Sequence, residues 1–339
     1  MVIVAASTFT GLALLAAVVA LLLRVRHARV GSRWAAVEES WEPALLEVLT
    51  GECPPEGLTG GLTAAERPYF AGFLGRFIRR VTGPERARLV AVARPLLPVI
   101  RRGLRARSAE ARARAVDTLG VLGGGEDGAV LVAALDDRSP LVAMVAARAL
   151  ARRGGAAHAE ALVARLHRFA EWRPSFLAAM LAAVGPAIVP PLLGALRDPT
   201  AGARVRTVAA EALARLNAPE GGGMAAALLG READAELRAA LLRLVARVGT
   251  ADHLAAVRSE LDAPEEGVRL AAVRALAALG GAEDVDRLAR AVLDPSRWVA
   301  EQAARGLATG AGRETLRALR RTTPSVRAIT AEVLQEEAP

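Results

Sequence analysis

The side chains able to do covalent or metal chemistry are few and scattered. Cys53 is the single cysteine, and His27, His158, His167 and His253 are the only histidines. One cysteine permits no intrachain disulfide, and Cys53 sits in the Gly/Pro-rich stretch GECPPEG without a neighbouring histidine, which reads as an inert thiol. No histidine forms an H-x3-H or His-Glu pair, so the spacing by which a helix offers ligands to a metal is missing. Gly221-Gly222-Gly223 has neither the lysine nor the preceding strand of a phosphate-binding loop, and reads as a weak helix start or a flexible joint. These spacings lead to no catalytic residue, metal ligand or cofactor.

The chemistry that remains is recognition by arginine and tryptophan. The chain has no lysine, so all 44 basic residues are arginine. Twelve of them lie between Arg76 and Arg114, among them Arg101, Arg102 and Arg105, against only Glu85 and Glu110. Such a segment suits anionic lipid headgroups or an acidic partner face, or else forms a solvated helical face. A second stretch runs His167-Arg168-Phe169-Ala170-Glu171-Trp172-Arg173-Pro174. An exposed Trp172 beside Arg173 and His167 has the composition of an interaction hot spot, and the alternative is an elongated turn whose Trp172 folds back over the core. Aromatic residues are only 3% of the chain, too few for stacking platforms, and nucleic acid is a poor candidate partner.

These residues must be held by helices. Ala, Leu, Val, Arg and Gly dominate, which favours close-packed α-helices. A unit of about thirty residues recurs. In its best-preserved copy, DAPEEGVRLAAVRALAALGG (262–281), an acidic Pro-containing turn leads to Val-Arg, then to an Ala-rich helix closed by Gly-Gly. Equivalent positions fall at Arg112, Ala143, Leu177, Arg206, Arg238, Arg269, Ala300 and Arg327, at spacings of 31, 34, 29, 32, 31, 31 and 27. Between them lie shorter apolar segments such as HLAAVRSELD and DRLARAVLD. The unit is therefore two antiparallel helices joined by short turns. The copy from about Ala156 to Gly185 lacks both the acidic turn and the Val-Arg.

The start of the chain is different. Residues 2–23 carry no charge, and at ~1.5 Å per residue they reach about 33 Å, enough to span a bilayer core. Arg24, Arg26, His27, Arg29 and Arg33 follow, forming a basic juxtamembrane segment over 24–33. By the positive-inside rule, this predicts a single-pass cell-membrane anchor with the N-terminus outside and the rest cytoplasmic. Residues 34–95 read as an irregular helical cap. One helix runs from Trp34 to Thr50, with Trp41, Leu45, Leu46 and Leu49 inward. A second, over Thr63–Val81, has Thr63 as N-cap, Glu66 reaching back, and Tyr69, Phe70, Phe73, Leu74 and Phe77 as core. Pro84 opens a helix toward Pro95, and residues 96–339 form the repeat array, whose LQEEAP finish suits a C-terminal cap.

The period, the acidic Pro turn, the Val-Arg and the Ala-rich second helix together resemble the HEAT-repeat family, in the short variety also found in phycobilisome lyases. The resemblance covers about residues 95–337. It implies an all-α fold, an α-solenoid of about seven to eight helix pairs, here preceded by one transmembrane helix. It also implies a ladder of turn Asp and second-helix Arg, which Asp198 with Arg206 and Asp262 with Arg269 match, whereas Asp294 and Asp137 face Ala300 and Ala143. The function implied is a membrane-anchored scaffold or adaptor that binds a protein partner, one itself associated with the membrane, and not an enzyme. Family members with enzymatic activity, such as bilin lyases, leave a lyase-like alternative.

Overall fold

The computed structural model describes residues 37–55, 57–309, 311–322 and 324–335. The expected membrane span at 2–23 and the basic segment at 24–33 lie outside the described residues. Among the described residues there is no strand, and no single helix is long and apolar enough to cross a membrane. The chain divides into two compact units, Met1–Asp127 and Gly128–Pro339.

The first unit holds α1 (37–50), a single turn α2 (Gly57–Gly60), α3 (Arg67–Ile78), α4 (Gly83–Ala93), α5 (Leu97–Gly103) and α6 (Ala109–Leu122). The core is aromatic. Trp41 sits edge-on to Phe70 and Phe73, with ring centroids 5.0 and 5.6 Å apart, and Phe73 meets Phe77 at 4.8 Å. Phe70, Phe73 and Leu74 are buried as the spacing predicts, but Tyr69 is exposed. In α1, Leu45 and Val48 face inward while Leu46 is exposed. An i, i+3 pair fixes that face, so the neighbour at i+1 must point away. Thr63 and Glu66 bond reciprocally, with Thr63 N–H donating to Glu66 at 2.8 Å and Glu66 N–H donating to Thr63 Oγ1 at 3.3 Å. They close a turn just ahead of the α-helix, which begins at Arg67.

Helix α7 (Asp127–Ala134) starts at the boundary. The second unit continues with α8 (Pro140–Arg153), α9 (Ala156–Ala164), α10 (Pro174–Ala182), α11 (Val189–Arg197), α12 (Gly202–Leu216) and α13 (Glu220–Leu229). It ends with α14 (Ala235–Val248), α15 (Leu254–Arg258), α16 (Glu266–Leu279), α17 (Val285–Ala291), α18 (Arg297–Ala308), α19 (Arg313–Thr322) and α20 (Pro324–Gln335). The long even-numbered helices stack in one row, each on the next from α8 to α20. The short odd-numbered helices pack against them, with α9 on α11, α13 on α15 and α17 on α19.

Alanine makes this stacking possible. Ala209, Ala210 and Ala212 in α12, Ala271, Ala272 and Ala275 in α16, and Ala300, Ala303 and Ala304 in α18 are buried at helix contacts, where a methyl group lets backbones approach. Leucines such as Leu213, Leu242 and Leu276 fill the spaces between, each burial stabilising by about 1.5–3 kcal/mol. Gly221-Gly222-Gly223, expected to loosen a helix start, lies inside α13. A Cβ at Gly221 would meet Leu244 at 3.2 Å, and one at Gly222 would meet the Val248 carbonyl at 3.1 Å. The glycines let α13 sit close against α14, a gain of packing that outweighs their low helix propensity.

Candidate functional site

Three arginines at the start of successive long helices set the register of the second unit. Arg206 of α12 bonds the Leu196 carbonyl at 3.1 Å and pairs with Glu232, in the turn before α14. Arg238 of α14 reaches Glu260 at 3.0 Å and Glu265 at 3.2 Å, in the turn before α16. Arg269 of α16 holds Asp294, before α18, at 2.8 and 3.1 Å, and also donates to the carbonyls of Ala263 and Pro264. All three arginines reach the acid of the following repeat; Arg269 also holds its own turn, and Arg206 the end of α11.

This corrects the pairing expected from the sequence. Asp198 caps its own turn, accepting from Thr200 N–H at 2.8 Å, and Asp262 makes no ion pair among the described residues. Asp294, which faces Ala300 in its own repeat, is a full member of the ladder through the arginine of the repeat before. The guanidinium fork lets Arg269 serve both, its Nη1 donating back to its own turn while Nε and Nη2 clasp Asp294.

A second pairing recurs at the opposite ends of the helices. Arg101 donates to Asp127 at 2.7 Å in the first unit, and Arg258 donates to Asp284 at 2.8 and 2.7 Å in the second. Both aspartates are buried, and both close a Gly-Gly-x-Glu-Asp segment, at 123–127 and at 280–284. Hydrogen bonds from Arg258 hold the Asp284 carboxyl below the usual carboxylate range. This repeated segment, with an arginine 26 residues ahead of its aspartate each time, was a readable signal that spacing on the long helices alone misses.

The expected partner-binding residues are sorted by these bonds. Arg101 is committed to Asp127. Of the other arginines in the basic segment, Arg76 pairs with Glu38, Arg79 with Asp117, and Arg86, Arg88 and Arg112 hold backbone carbonyls. Arg102 and Arg105 are exposed, as are Arg80, Arg94, Arg107 and Arg114. His167 and Arg173 are exposed, and Trp172 is half-buried. Trp172 stacks on Phe176 at 5.4 Å and 26°, and its carbonyl accepts from Arg204 of α12. The aromatic pair is therefore anchored to the next long helix, with Phe176 facing solvent.

Large exposed apolar side chains in the second unit concentrate at one structural position. Leu141, Phe176 and Trp298, at 46%, 40% and 67% exposure, lie in the first turns of α8, α10 and α18. The repeat pattern alone does not mark these three side chains as exposed, since each stands at the apolar head of its helix. Between α17 and α19 lies a shallow, open depression lined by Asp286, Ala289, Arg290, Leu293 and Leu319. Among the described residues no group of three or more His, Cys, Asp or Glu is placed to hold a metal ion.

Residues 224–308 match the family model of HEAT repeats. The matched stretch runs from α13 through α18 and contains the Arg238 and Arg269 rungs. No curated protein matches the chain. Among solved structures, the crystal structure of Kap121p is similar over 78% of this chain and 35% of its own length, at 15% identity and a TM-score of 0.41. The chain thus corresponds to about a third of Kap121p. The crystal structure of an engineered protein from the Northeast Structural Genomics Consortium is similar over 88% of this chain and 94% of its own, at 19% identity and a TM-score of 0.40.

Proposed function

We propose that the chain is a scaffold that binds a protein partner along the edge formed by the first turns of its long helices. The observation carrying this reading is the placement of Leu141, Phe176 and Trp298 at that edge. Exposed apolar residues are ordinary when scattered, but an exposed tryptophan and phenylalanine in the first turns of helices of one stack have the composition of binding anchors. Stacked helix pairs bind partners through such extended surfaces and need no reacting group. In this reading the chain acts by binding and not by catalysis.

Residues 2–23, uncharged throughout and followed by basic residues, would carry the scaffold to a cell membrane with the helical units in the cytoplasm. The partner would then itself be membrane-associated. The exposed arginines Arg80, Arg94, Arg102, Arg105, Arg107 and Arg114 support contact with anionic headgroups beside it.

The test is crosslinking of the full chain in native membranes followed by mass spectrometry, repeated with Phe176→Ala and Trp298→Ala. A membrane protein recovered with the parent chain and lost with the variants supports the reading. Recovery unchanged by both substitutions, or no partner above background, overturns it. Membrane fractions that keep the chain after deletion of residues 2–23 overturn the anchor.

A further inference from the structure

Arg204, in the first turn of α12, carries a half-buried charge that the fold does not match. Its Nη2 donates to the Trp172 carbonyl, its Nε is buried without a hydrogen-bond partner, and it forms no ion pair among the described residues. Other shielded arginines of this unit meet carboxylates: Arg206, Arg238, Arg243, Arg258, Arg269 and Arg287 each hold an aspartate or glutamate. The first turn of α12 holds no acid, and Glu171, beside Trp172 in sequence, is exposed and makes no ion pair with Arg204. A guanidinium taken partly out of water is stabilised far more by a carboxylate than by one neutral carbonyl.

Arg204 belongs to a row. Two residues ahead of the repeating positions Ala143, Arg206, Arg238 and Ala300 stand Leu141, Arg204, Glu236 and Trp298, each in the first turn of its long helix. Phe176, one residue ahead of Leu177 in α10, comes between Leu141 and Arg204 along the stack, and it stacks on Trp172, whose carbonyl Arg204 holds. Glu236 is exposed and in no ion pair among the described residues. Gly267 takes this place in α16, and a Cβ there would meet nothing within 4 Å. From α8 to α18 the edge therefore reads apolar, apolar, positive, negative, open, apolar.

We propose that this edge takes an extended segment of a partner protein that seats an apolar side chain on Phe176, brings a carboxylate to Arg204 and places a basic residue at Glu236. Packed helices lie about 8–10 Å apart and an extended chain advances ~3.3 Å per residue, so these three side chains stand about three residues apart. The carboxylate supplies the counter-charge that Arg204 lacks, at a place partly shielded from water, where such a pair is stronger than on an open surface. A nucleic acid would meet Arg204 but be repelled by Glu236, and a wholly apolar segment would leave the guanidinium stranded. This inference rests on the scaffold reading and specifies the chemistry of the partner.

The experiment places a benzophenone amino acid in place of Ser175, exposed beside Phe176, in the full chain, irradiates the cells that make it, and sequences the crosslinked peptide. The expected product is a segment of another protein with an apolar residue, a glutamate or aspartate about three residues away, and an arginine or lysine about three further on. Arg204→Gln keeps a donor for the Trp172 carbonyl and removes the charge, so the yield should fall about tenfold or more while the melting temperature of the purified chain stays level or rises. Crosslinks to lipid, nucleic acid or a second copy of this chain overturn the proposal, as does a captured segment without the carboxylate or a yield indifferent to Arg204→Gln. A melting temperature that falls in Arg204→Gln also overturns it, by making the charge structural. If the Phe176 and Trp298 variants lose a partner while position 175 captures none, the Arg204 proposal fails and the scaffold reading stands. If neither captures a partner, the scaffold reading fails as well.

Discussion

Arg269 in α16 closes on Asp294, 25 residues ahead in the turn before α18, through two hydrogen bonds of 2.8 and 3.1 Å. Both side chains are largely shielded, and Asp294 also accepts from Ser296 N–H at 2.7 Å. One bond network thus spans two neighbouring repeats. Replacing Arg269 by alanine leaves a shielded carboxylate without its counter-charge, and should cost about 3–5 kcal/mol of unfolding free energy. Asp294→Asn in the same background should restore part of that loss, because no charge is then stranded. Urea unfolding of the two single variants and the double variant measures the coupling.

Acid should loosen the second unit through Asp284. The hydrogen bonds from Arg258 lower its folded-state pKa relative to the unfolded value of about 3.9. A lowered carboxyl pKa contributes stability above the unfolded value, and that contribution is lost as pH falls through the folded value. Unfolding free energy should therefore drop below about pH 4, and Arg258→Gln should flatten that drop while lowering stability at pH 7. Asp136, lowered by its bonds to Arg165, gives the same sign, and Arg165→Gln should show the same flattening. Thermal unfolding from pH 3 to pH 7 reads both, and an unchanged acid limb in Arg258→Gln would remove Asp284 as its source.

Two of the three glycines of α13 should respond in opposite directions to alanine. A Cβ at Gly223 meets His253 Nε2 at 3.6 Å, an ordinary contact, and the position is exposed. Gly223→Ala should stabilise by about 0.5–1 kcal/mol through helix propensity. Gly222→Ala brings a methyl to 3.1 Å from a backbone carbonyl that cannot turn aside, so it should destabilise despite the same propensity gain. Melting temperatures of the two variants decide the point, and equal shifts of one sign would count against close packing as the reason for glycine at 222.

Trp298→Ala should separate binding from stability. The side chain is 67% exposed, so its removal should change unfolding free energy by no more than about 0.5 kcal/mol. As a binding anchor it should be worth about 2 kcal/mol or more, near thirtyfold in partner affinity. Affinity for the crosslinked partner and a thermal melt, taken on the same preparation, compare the two. A melt that falls with affinity would make Trp298 a structural residue.

Much of this arrangement is written in local pattern. The steps of 27 to 34 residues between Arg206-like positions, the Ala-rich second helices and the Gly-Gly stops follow from helix periodicity and turn chemistry, which act over a few residues and so are visible in one dimension. The same locality made the reciprocal bonds of Thr63 and Glu66 legible, although they close a turn before the helix instead of capping it.

Partner choice between repeats was not legible. Asp262 and Arg269 are sequence neighbours of suitable charge, yet Arg269 turns to Asp294, because a guanidinium extends across the helix contact to an acid that only stacking brings near. Stacking likewise makes Gly222 a packing residue instead of a joint, commits Arg101 to a buried aspartate, and leaves Phe176, Trp298 and Leu293 in water. The sequence by itself determined that helices form and repeat, since that depends on each residue and its near neighbours. Only the tertiary structure decided which arginines are tied down and which apolar side chains stay open to a partner, since both depend on what lies across the helix contact.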